Sequence, residues 1–243
     1  MPKLKIHARS RVSDDVLTAQ RAAFPDAPEV SGRGTLAVVG GGASVEGYLD
    51  ELREWPGDVW GVNYTAPWLR ARGVDCFFYT IDPKDLDLDS VGAAVLADHC
   101  HPSLVGKADS LAKVVPPMPG PTSAVASSLF CLRYGYDGAV FFGCDSGFEK
   151  TSHIYRDDPV PDLVVVECGG KQYRTRLELI LQAEQLSSVI REFPDRFACR
   201  GIGFLSALVE HGVYDVKQIS KGIAEGLRYE RAFNIEAEEG AST

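Results

Sequence analysis

The chain has 243 residues, of which 45% are hydrophobic and 24% are charged, and its formal net charge at pH 7 is −9. A chain of this length and apolar content can bury one sizeable core, alone or with small additions. The acidic balance argues against a general nucleic-acid binder, which needs a basic face. No stretch approaches the ~20 apolar residues of a membrane span, and the basic start "MPKLKIHARSR" lacks the apolar core of a signal peptide. We therefore expect a cytoplasmic protein without a membrane span.

The six cysteines are spread along the chain, and none forms a C-x-x-C pair. Several lie within apolar runs, which favours buried, reduced thiols over a disulfide framework or a zinc site. The stretch "HCH" at 99–101 places its candidate metal ligands side by side, and adjacent ligands on a short segment rarely converge on one ion. We interpret it as a loop or the end of a helix.

Strand and helix signals alternate from residue 35 onward. The sequence predicts strands at 35–40, 58–62, 74–80 and 138–143, and helices at 44–54, 64–72, 90–98, 122–135, 178–192 and 202–211. Short apolar strands that alternate with helices indicate a mostly parallel sheet with helices on both faces. We therefore predict a Rossmann-like α/β fold. The glycine pair at 169–170 between two strand-like runs predicts a small β-hairpin, inserted at 162–176.

The composition divides the chain into three parts. The segment 1–34 carries several prolines and glycines and is interpreted as an N-terminal lead-in. Residues 35–215 are predicted to form the Rossmann-like nucleotide-binding domain. Residues 216–243 are predicted to be a C-terminal helix or tail, because the end of the chain, "EAEEGAST", is polar and expected to fray.

The stretch "LAVVGGGASVEGYLDEL" at 36–52 predicts a buried strand, a turn of three glycines and then a helix that Ser44 can cap. Glycines in such a turn let a ligand approach bare backbone amides, and the helix start attracts an anion. A tight turn that binds nothing is the alternative. The turn lacks the lysine of a Walker loop, and Val45 breaks the G-x-G-x-x-G fingerprint. Because Asn63 follows the second strand instead of an acidic residue, a standard NAD site is disfavoured, whereas a nucleotide held through its phosphates is not.

Polar residues follow each predicted strand or precede the next helix. Open α/β sheets bind ligands beyond the carboxyl ends of their strands, so these residues would meet at one edge. Each has an ordinary alternative as a helix cap, a turn residue or a loop residue. Their convergence favours a binding site formed by Ser44, Asn63, Asp82, Thr122, Ser123, Asp145, His153 and Tyr155.

Five motifs in order carry a resemblance to a known family: "VVGGGAS", "GVNYT", "YTIDP", "GPTSAVASSLFCLRYGYDGAVFFGCDSGF" and "TSHIY". Together they resemble the 6-hydroxymethylpterin diphosphokinase-like (MptE-like) family, which includes domains of motility-associated flagellin glycosyltransferases. The same order of features is similar to that of the small bacterial lipo-oligosaccharide sialyltransferases. The resemblance covers residues 35–155.

The resemblance implies roles for individual residues. The nucleotide-phosphate loop would comprise Gly40, Gly41, Gly42 and Ser44. Contacts to the nucleotide or its phosphates would come from Asn63, Thr122 and Ser123, and the base or sugar pocket would be lined by Gly143 and Asp145. Asp82 stands where the diphosphokinase-like members keep an acidic residue, and His153 where many relatives keep a histidine. The sialyltransferases favour Gly-Asn-Gly-Pro-Ser and a glycine after Thr-Ser, from which the chain departs at Gly41, Ala43 and Ala124.

Three functions follow from these residues. A diphosphokinase would transfer a pyrophosphoryl group from ATP to a small hydroxymethyl, pterin-like acceptor, and would need Mg²⁺ with Asp82 and Asp145 as candidate ligands. A glycosyltransferase would use a CMP-activated sugar and a small-molecule or glycan acceptor, with His153 as the general base. Donors to its leaving phosphate would be Tyr155 or Arg156. A nucleotide-binding module would bind without turnover. We predict a nucleotide-dependent transferase, favour pyrophosphoryl transfer slightly, and leave open whether the chain forms a homo-oligomer.

Overall fold

The computed structural model describes residues 4–8, 12–115, 125, 128–148, 153–155, 163–220 and 233–237. In chain order the elements are β1 (Leu4–Ala8), α1 (Asp14–Ala23), β2 (Thr35–Val39), a first 3₁₀ helix (Ala43–Tyr48), α2 (Leu49–Arg53), β3 (Val59–Val62), α3 (Thr65–Arg70), β4 (Phe77–Thr80), β5 (Gly92–Ala97), α4 (Pro102–Val105), β6 (Ala108–Val114), a second 3₁₀ helix (Ser128–Tyr134), β7 (Gly138–Phe142), β8 (Val164–Cys168), β9 (Lys171–Thr175), α5 (Leu177–Glu192), β10 (Phe197–Arg200), α6 (Phe204–His211), β11 (Asp215–Ile219) and β12 (Phe233–Ala237).

The main sheet has seven strands in the order β10-β7-β2-β3-β4-β5-β6, and all its neighbouring strands are parallel. The predicted Rossmann-like α/β fold is therefore confirmed. From β2 the chain builds outward to β6, then returns to place β7 on the other side of β2. The strand order thus reverses between β2 and β7, and a crevice for ligands forms beyond the carboxyl ends of strands at such a switch point.

The centre of the sheet is apolar on both faces, as expected for strands covered by helices on each side. In β2 the four residues Leu36 to Val39 are fully buried. Val38 lies opposite Trp60 of β3 and Phe141 of β7, which are also buried. The indole of Trp60 packs on the ring of Tyr79, with 4.6 Å between ring centroids. This rigid centre holds the loops at the carboxyl edge in place.

The helix expected at 90–98 is wrong, because these residues form the parallel strand β5. Its run of small and β-branched residues is buried on both faces, and such a short apolar run has no period that separates strand from helix. Strands β6 and β10 were not predicted. The helix expected at 44–54 is a 3₁₀ helix followed by α2, while the helices expected at 64–72, 178–192 and 202–211 are confirmed as α3, α5 and α6.

The helix expected at 122–135 lies partly outside the described residues. Its last part, Ser128–Tyr134, is the second 3₁₀ helix. The "HCH" stretch forms the turn after β5 and the start of α4, whose N-cap is His101, in agreement with the sequence interpretation.

The hairpin predicted at 162–176 is confirmed as β8 and β9, joined at Gly169 and Gly170, whose φ angles are 58° and 75°. Such positive φ angles suit a two-residue hairpin turn made of glycines. Strand β11 pairs with β8 to complete a three-stranded antiparallel sheet, and β1 pairs with β12. The described part of 216–243 therefore contains strands where we expected a helix or tail. Among the described residues, no helix has both the length and the apolar character needed to cross a bilayer.

Candidate active site at the sheet switch point

The glycine turn after β2 is tied to the loop after β7. The amide of Gly40 donates to the carbonyl of Phe142 at 2.8 Å, and the amide of Gly42 donates to the carbonyl of Gly143 at 2.7 Å. Gly143 has φ of 57°, which lets its carbonyl turn back toward the glycine turn. In the described part of the chain, no hydrogen bond is donated by the amides of Gly41 and Ala43. The turn therefore offers these two amides to an anion.

Asp145 and Ser44 lie on the two sides of the switch point and are joined by hydrogen bonds. The backbone amide of Ser44 donates to Oδ2 of Asp145 at 3.0 Å, and the Ser44 hydroxyl donates to Oδ1 at 2.5 Å. The Asp145 side chain thus accepts hydrogen bonds at the start of the first 3₁₀ helix, where we expected a phosphate to contact Ser44. This geometry gives Asp145 a positioning role between the two loops.

A second glycine loop encloses the same carboxylate. A Cβ added to Gly201 would lie 2.6 Å from Oδ1 of Asp145, and one added to Gly42 would lie 2.4 Å from Oδ2. Both contacts are closer than atoms tolerate, so a side chain at either position would displace the carboxylate. The loop after β10 was missed in the sequence. Its signal was the Gly-Ile-Gly stretch at 201–203, which immediately follows a strand.

The described segment His153–Tyr155 packs on Gly41. The amide of Ile154 donates to the Gly41 carbonyl at 2.8 Å. A Cβ on Gly41 would lie 2.8 Å from Cε1 of Tyr155 and 3.0 Å from Cδ2 of His153. The two rings stack with 5.0 Å between centroids and 16° between planes. A side chain at Gly41 would therefore have to displace one or both of these rings.

The loop after β3 approaches the same glycine. Tyr64 packs on Tyr155, with 5.7 Å between ring centroids. The hydroxyl oxygen of Thr65 would lie 3.4 Å from a Cβ on Gly41. Asn63 has φ of 52°, in the left-handed region that asparagine adopts more readily than other residues except glycine. Sequence reasoning proposed Asn63 but missed Thr65, for which the chain gave no signal.

Two buried polar atoms in this loop lack a hydrogen-bond partner within the described ranges. Asn63 Oδ1 and Thr65 Oγ1 are inaccessible and make no hydrogen bond there, and the residue Thr65 is 0% exposed. The sequence left open that Asn63 only caps a helix, but Asn63 is not the N-cap of α3. The N-cap of α3 is Tyr64, and no side chain caps that helix.

Asp82 lies further along the same edge, after β4. Its amide donates to the Thr80 hydroxyl at 3.0 Å, and its Oδ1 accepts from the Lys84 amide at 3.0 Å. Strands β4 and β7 are separated by β3 and β2, so Asp82 and Asp145 follow strands about 14 Å apart. The two carboxylates are therefore not brought together around one ion. In the described ranges, no group of three or more His, Cys, Asp or Glu side chains could hold a metal ion.

Three residues that the sequence predicted for the site lie outside the described residues: Thr122, Ser123 and Arg156.

The cysteines are free thiols, as expected from the sequence. Burial raises the pKa of Cys76 to about 11 and that of Cys131 to about 12, and it also raises the pKa of Cys144 beside the site. These thiols stay protonated near neutral pH, so they do not supply a nucleophile.

Comparison with known proteins gives one structural likeness. No protein-family model and no curated protein matches the chain. The fold is similar to that of a MAf glycosyltransferase from Magnetospirillum magneticum AMB-1, with a TM-score of 0.54 and 14% sequence identity over 88% of this chain. The chain spans 41% of the length of that glycosyltransferase. At this identity the likeness shows the fold alone. That neighbour is itself a glycosyltransferase, a class that the motif resemblance also includes, and the activities which the resemblance implies for this chain remain predictions.

Proposed function

We propose that this chain is a nucleotide-dependent transferase of glycosyltransferase type, with its site in the crevice between β2 and β7. One observation carries the proposal. At the switch point, a histidine and a tyrosine stack over a glycine turn whose Gly41 and Ala43 amides are available to an anion. A base beside an anion site is what transfer from a nucleotide-activated group requires. The fold likeness to a glycosyltransferase supports the same class.

The reaction proposed is transfer of a sugar from a CMP-activated donor to an acceptor hydroxyl. The acceptor oxygen attacks the anomeric carbon and forms a new C–O bond. The bond between that carbon and the phosphate oxygen breaks, and its electron pair remains on the nucleotide phosphate. A ring nitrogen of His153 takes the acceptor proton, since a neutral imidazole has a nitrogen lone pair that can accept it. The amides of Gly41 and Ala43 would hold the phosphate oxygens as negative charge develops there.

The surrounding residues position this chemistry. Tyr155 stacks on His153 and restricts the orientation of its ring. Asp145 fixes the start of the first 3₁₀ helix through Ser44, and thereby the path of the glycine turn. We assign Asn63 to ligand contact, because its side-chain oxygen lacks a partner within the structure. The nucleotide contacts proposed for Thr122, Ser123 and Gly143 remain predictions.

Pyrophosphoryl transfer from ATP to a small hydroxymethyl acceptor is the second candidate. The observation that favours it is the position of Asp82. Its partly exposed carboxylate lies at the carboxyl edge of the sheet, where Oδ1 accepts a hydrogen bond from the backbone amide of Lys84. Mg²⁺ that accompanies a nucleotide often uses only one or two protein carboxylates, so Asp82 is suited to receive it. The bound ion would neutralise charge on the triphosphate during transfer.

A thermal-shift panel separates these candidates. The protein is heated with CMP, UDP, GDP or ATP, each with Mg²⁺ and with EDTA, because a ligand that binds the folded state raises Tm. The proposal expects the largest rise with CMP, of similar size in both buffers. A rise with ATP that depends on Mg²⁺ supports the second candidate. If no nucleotide changes Tm, both are refuted.

A turnover assay follows with CMP-N-acetylneuraminic acid, in which release of CMP is measured. Release in the wild type that His153→Ala abolishes supports transfer chemistry with His153 as the base. Binding without release supports the non-catalytic nucleotide-binding module. The matched control is His211→Ala, because His211 is the last residue of α6, at the end of the helix away from the switch point.

A further inference from the structure

In the part of the chain that the structure describes, the loop after β3 contains two buried polar atoms that lack a hydrogen-bond partner, Asn63 Oδ1 and Thr65 Oγ1. A buried polar atom without a hydrogen bond is unfavourable, so folded proteins rarely retain one without a use. Here two of them lie two residues apart at the carboxyl end of β3. That strand is next to β2, which leads into the glycine turn.

Their chemistry defines the group that would satisfy both. The amide oxygen of Asn63 accepts a hydrogen bond and cannot donate one, whereas the Thr65 hydroxyl can donate. A ligand hydroxyl fits this pair, because it donates its proton to Asn63 and accepts through its oxygen from Thr65. A phosphate oxygen satisfies Thr65 alone, because it has no proton to donate to Asn63.

The backbone of Asn63 is tied to its neighbours on both sides. Its amide donates to the Tyr79 carbonyl at 3.0 Å, and its carbonyl accepts from the Ala66 amide at 3.2 Å. Its φ of 52° lies in the left-handed region, which asparagine adopts more readily than other residues except glycine. The loop therefore holds the Asn63 backbone in one conformation beside Thr65.

The Thr65 oxygen lies close to the glycine turn. A Cβ at Gly41 would be in contact with Thr65 Oγ1, Tyr155 Cε1 and His153 Cδ2, so these three groups surround one point. The Thr65 oxygen is therefore next to the crevice in which the nucleotide is proposed to bind. Because this oxygen is inaccessible, a ligand would reach it only if neighbouring groups shift.

We infer that Thr65 and Asn63 form a subsite that recognises a hydroxyl group of the bound ligand. This inference rests on the proposed function, which places a nucleotide-activated sugar in the crevice. Two parts of that ligand carry hydroxyls, the ribose of the nucleotide and the sugar to be transferred. Thr65 then determines specificity for a hydroxylated ligand, a role that neither the motifs nor the fold likeness assigns.

The test uses Thr65→Val, which has nearly the same shape but lacks the hydroxyl. Because the lost hydroxyl has no partner in the ligand-free protein, we expect Tm to stay equal or to rise by about 2–4 °C. The matched control is Thr175→Val. Thr175 is equally buried, but its hydroxyl donates to Ser146 O at 2.7 Å, so its loss lowers Tm. A fall in Tm of Thr65→Val like that of the control would overturn the inference, because the hydroxyl would then have a partner such as an ordered water.

Binding is measured by calorimetry with CMP, its 2′,3′-dideoxy analogue and CMP-N-acetylneuraminic acid. We expect Thr65→Val to bind hydroxylated ligand about 3- to 10-fold more weakly, and Thr65→Ser to restore the affinity. Loss for CMP but not for the dideoxy analogue assigns the hydroxyl to ribose. Loss confined to the CMP-sugar assigns it to the transferred sugar.

Failure of the inference differs from failure of the proposed function. Equal affinities of wild type and Thr65→Val for all three ligands would refute the subsite and leave nucleotide binding intact. If none of the three binds the wild type, the proposed function is refuted and the subsite with it.

Discussion

The carboxylate of Asp145 accepts two hydrogen bonds from Ser44, one from its amide at 3.0 Å and one from its hydroxyl at 2.5 Å. These residues are 101 positions apart in the chain and lie on either side of the point where the strand order of the sheet reverses. The pair joins the glycine turn to the loop after β7. It therefore fixes the floor of the proposed nucleotide site.

Replacement of this carboxylate is expected to weaken the fold. Asp145→Asn keeps the shape but leaves only one acceptor oxygen for the two donors of Ser44. We expect the free energy of unfolding to fall by about 1–3 kcal/mol, measured by urea denaturation. Ser44→Ala removes the hydroxyl hydrogen bond and is expected to cost about 1 kcal/mol. The double variant should cost less than the sum, because both changes remove the same contact. Asp50→Asn is the control, since the Asp50 side chain is almost fully exposed. Additive effects of the two changes would contradict this account.

Two neighbouring glycines are expected to respond differently to alanine. A Cβ on Gly42 meets the Asp145 carboxylate and the Gly143 carbonyl, which cannot move independently of the sheet. Gly42→Ala should therefore lower Tm by several degrees. A Cβ on Gly41 meets the ends of two rings, which can shift, so Gly41→Ala should retain Tm more closely and change nucleotide affinity. Thermal melts and calorimetry with CMP measure both effects, and a larger loss of Tm in Gly41→Ala would reverse the assignment.

His153 is expected to act in turnover more than in binding. As a general base, it should contribute about 10²–10⁴-fold to kcat, so His153→Ala loses that factor while the Kd for CMP changes little. The acidic limb of the pH profile of kcat should disappear in the variant, since the group that must be deprotonated is gone. Steady-state release of CMP from pH 5 to pH 9 measures both. Retention of full activity and of the same limb would remove His153 from the site.

A substitution at Asp82 tests the second candidate function, the transfer of a pyrophosphoryl group with Mg²⁺. If the Asp82 carboxylate receives Mg²⁺ with a triphosphate, Asp82→Asn should weaken ATP binding in the presence of Mg²⁺ and leave it unchanged in EDTA. Calorimetry in the two buffers gives the comparison. Asp85→Asn is a suitable control, because Asp85 lies in the same loop region and bonds Ser103 instead. An equal effect of Asp82→Asn in both buffers would argue against a metal-linked role.

Acid is expected to weaken the attachment of α1 to the sheet. Burial disfavours the charged form of Asp98, but the hydrogen bond from His99 and the charge of Arg21 outweigh it, so its pKa is lowered from 3.8. A lowered folded-state pKa means that the contribution of Asp98 to stability is present above the unfolded-state pKa and is lost as pH falls through the folded-state pKa. Arg21→Met should cost about 1 kcal/mol at pH 7 and progressively less below about pH 4. Urea titrations at pH 7, 4 and 3 test this, and a cost that does not change with pH would contradict it.

The order of residues along the chain predicts the class of fold, which the structure confirms, and the edge of the sheet at which we propose the site. Runs such as Leu36–Val39 are too apolar for a surface element, the glycine pair at 169–170 specifies a hairpin, and parallel strands place all their carboxyl ends together. These are local or topological properties, so they can be derived from the order of residues. The segment at 90–98 was assigned wrongly because a run of small apolar residues suits a buried strand and a buried helix equally well.

Which groups meet depends on the tertiary structure. The hydrogen bond from Ser44 to Asp145, the enclosure of that carboxylate by Gly201, and the convergence of Thr65 and two rings on Gly41 all join distant segments. Pairing of β7 with β2 creates the first contact, and pairing of β10 with β7 brings Gly201 to the same carboxylate. Gly42 illustrates the consequence. From the sequence its lack of a side chain indicated space for a phosphate, whereas in the folded protein that space is taken by the carboxylate of Asp145. The glycine correctly predicted that another group comes close to this backbone. Packing across the sheet determines that this group is the Asp145 carboxylate.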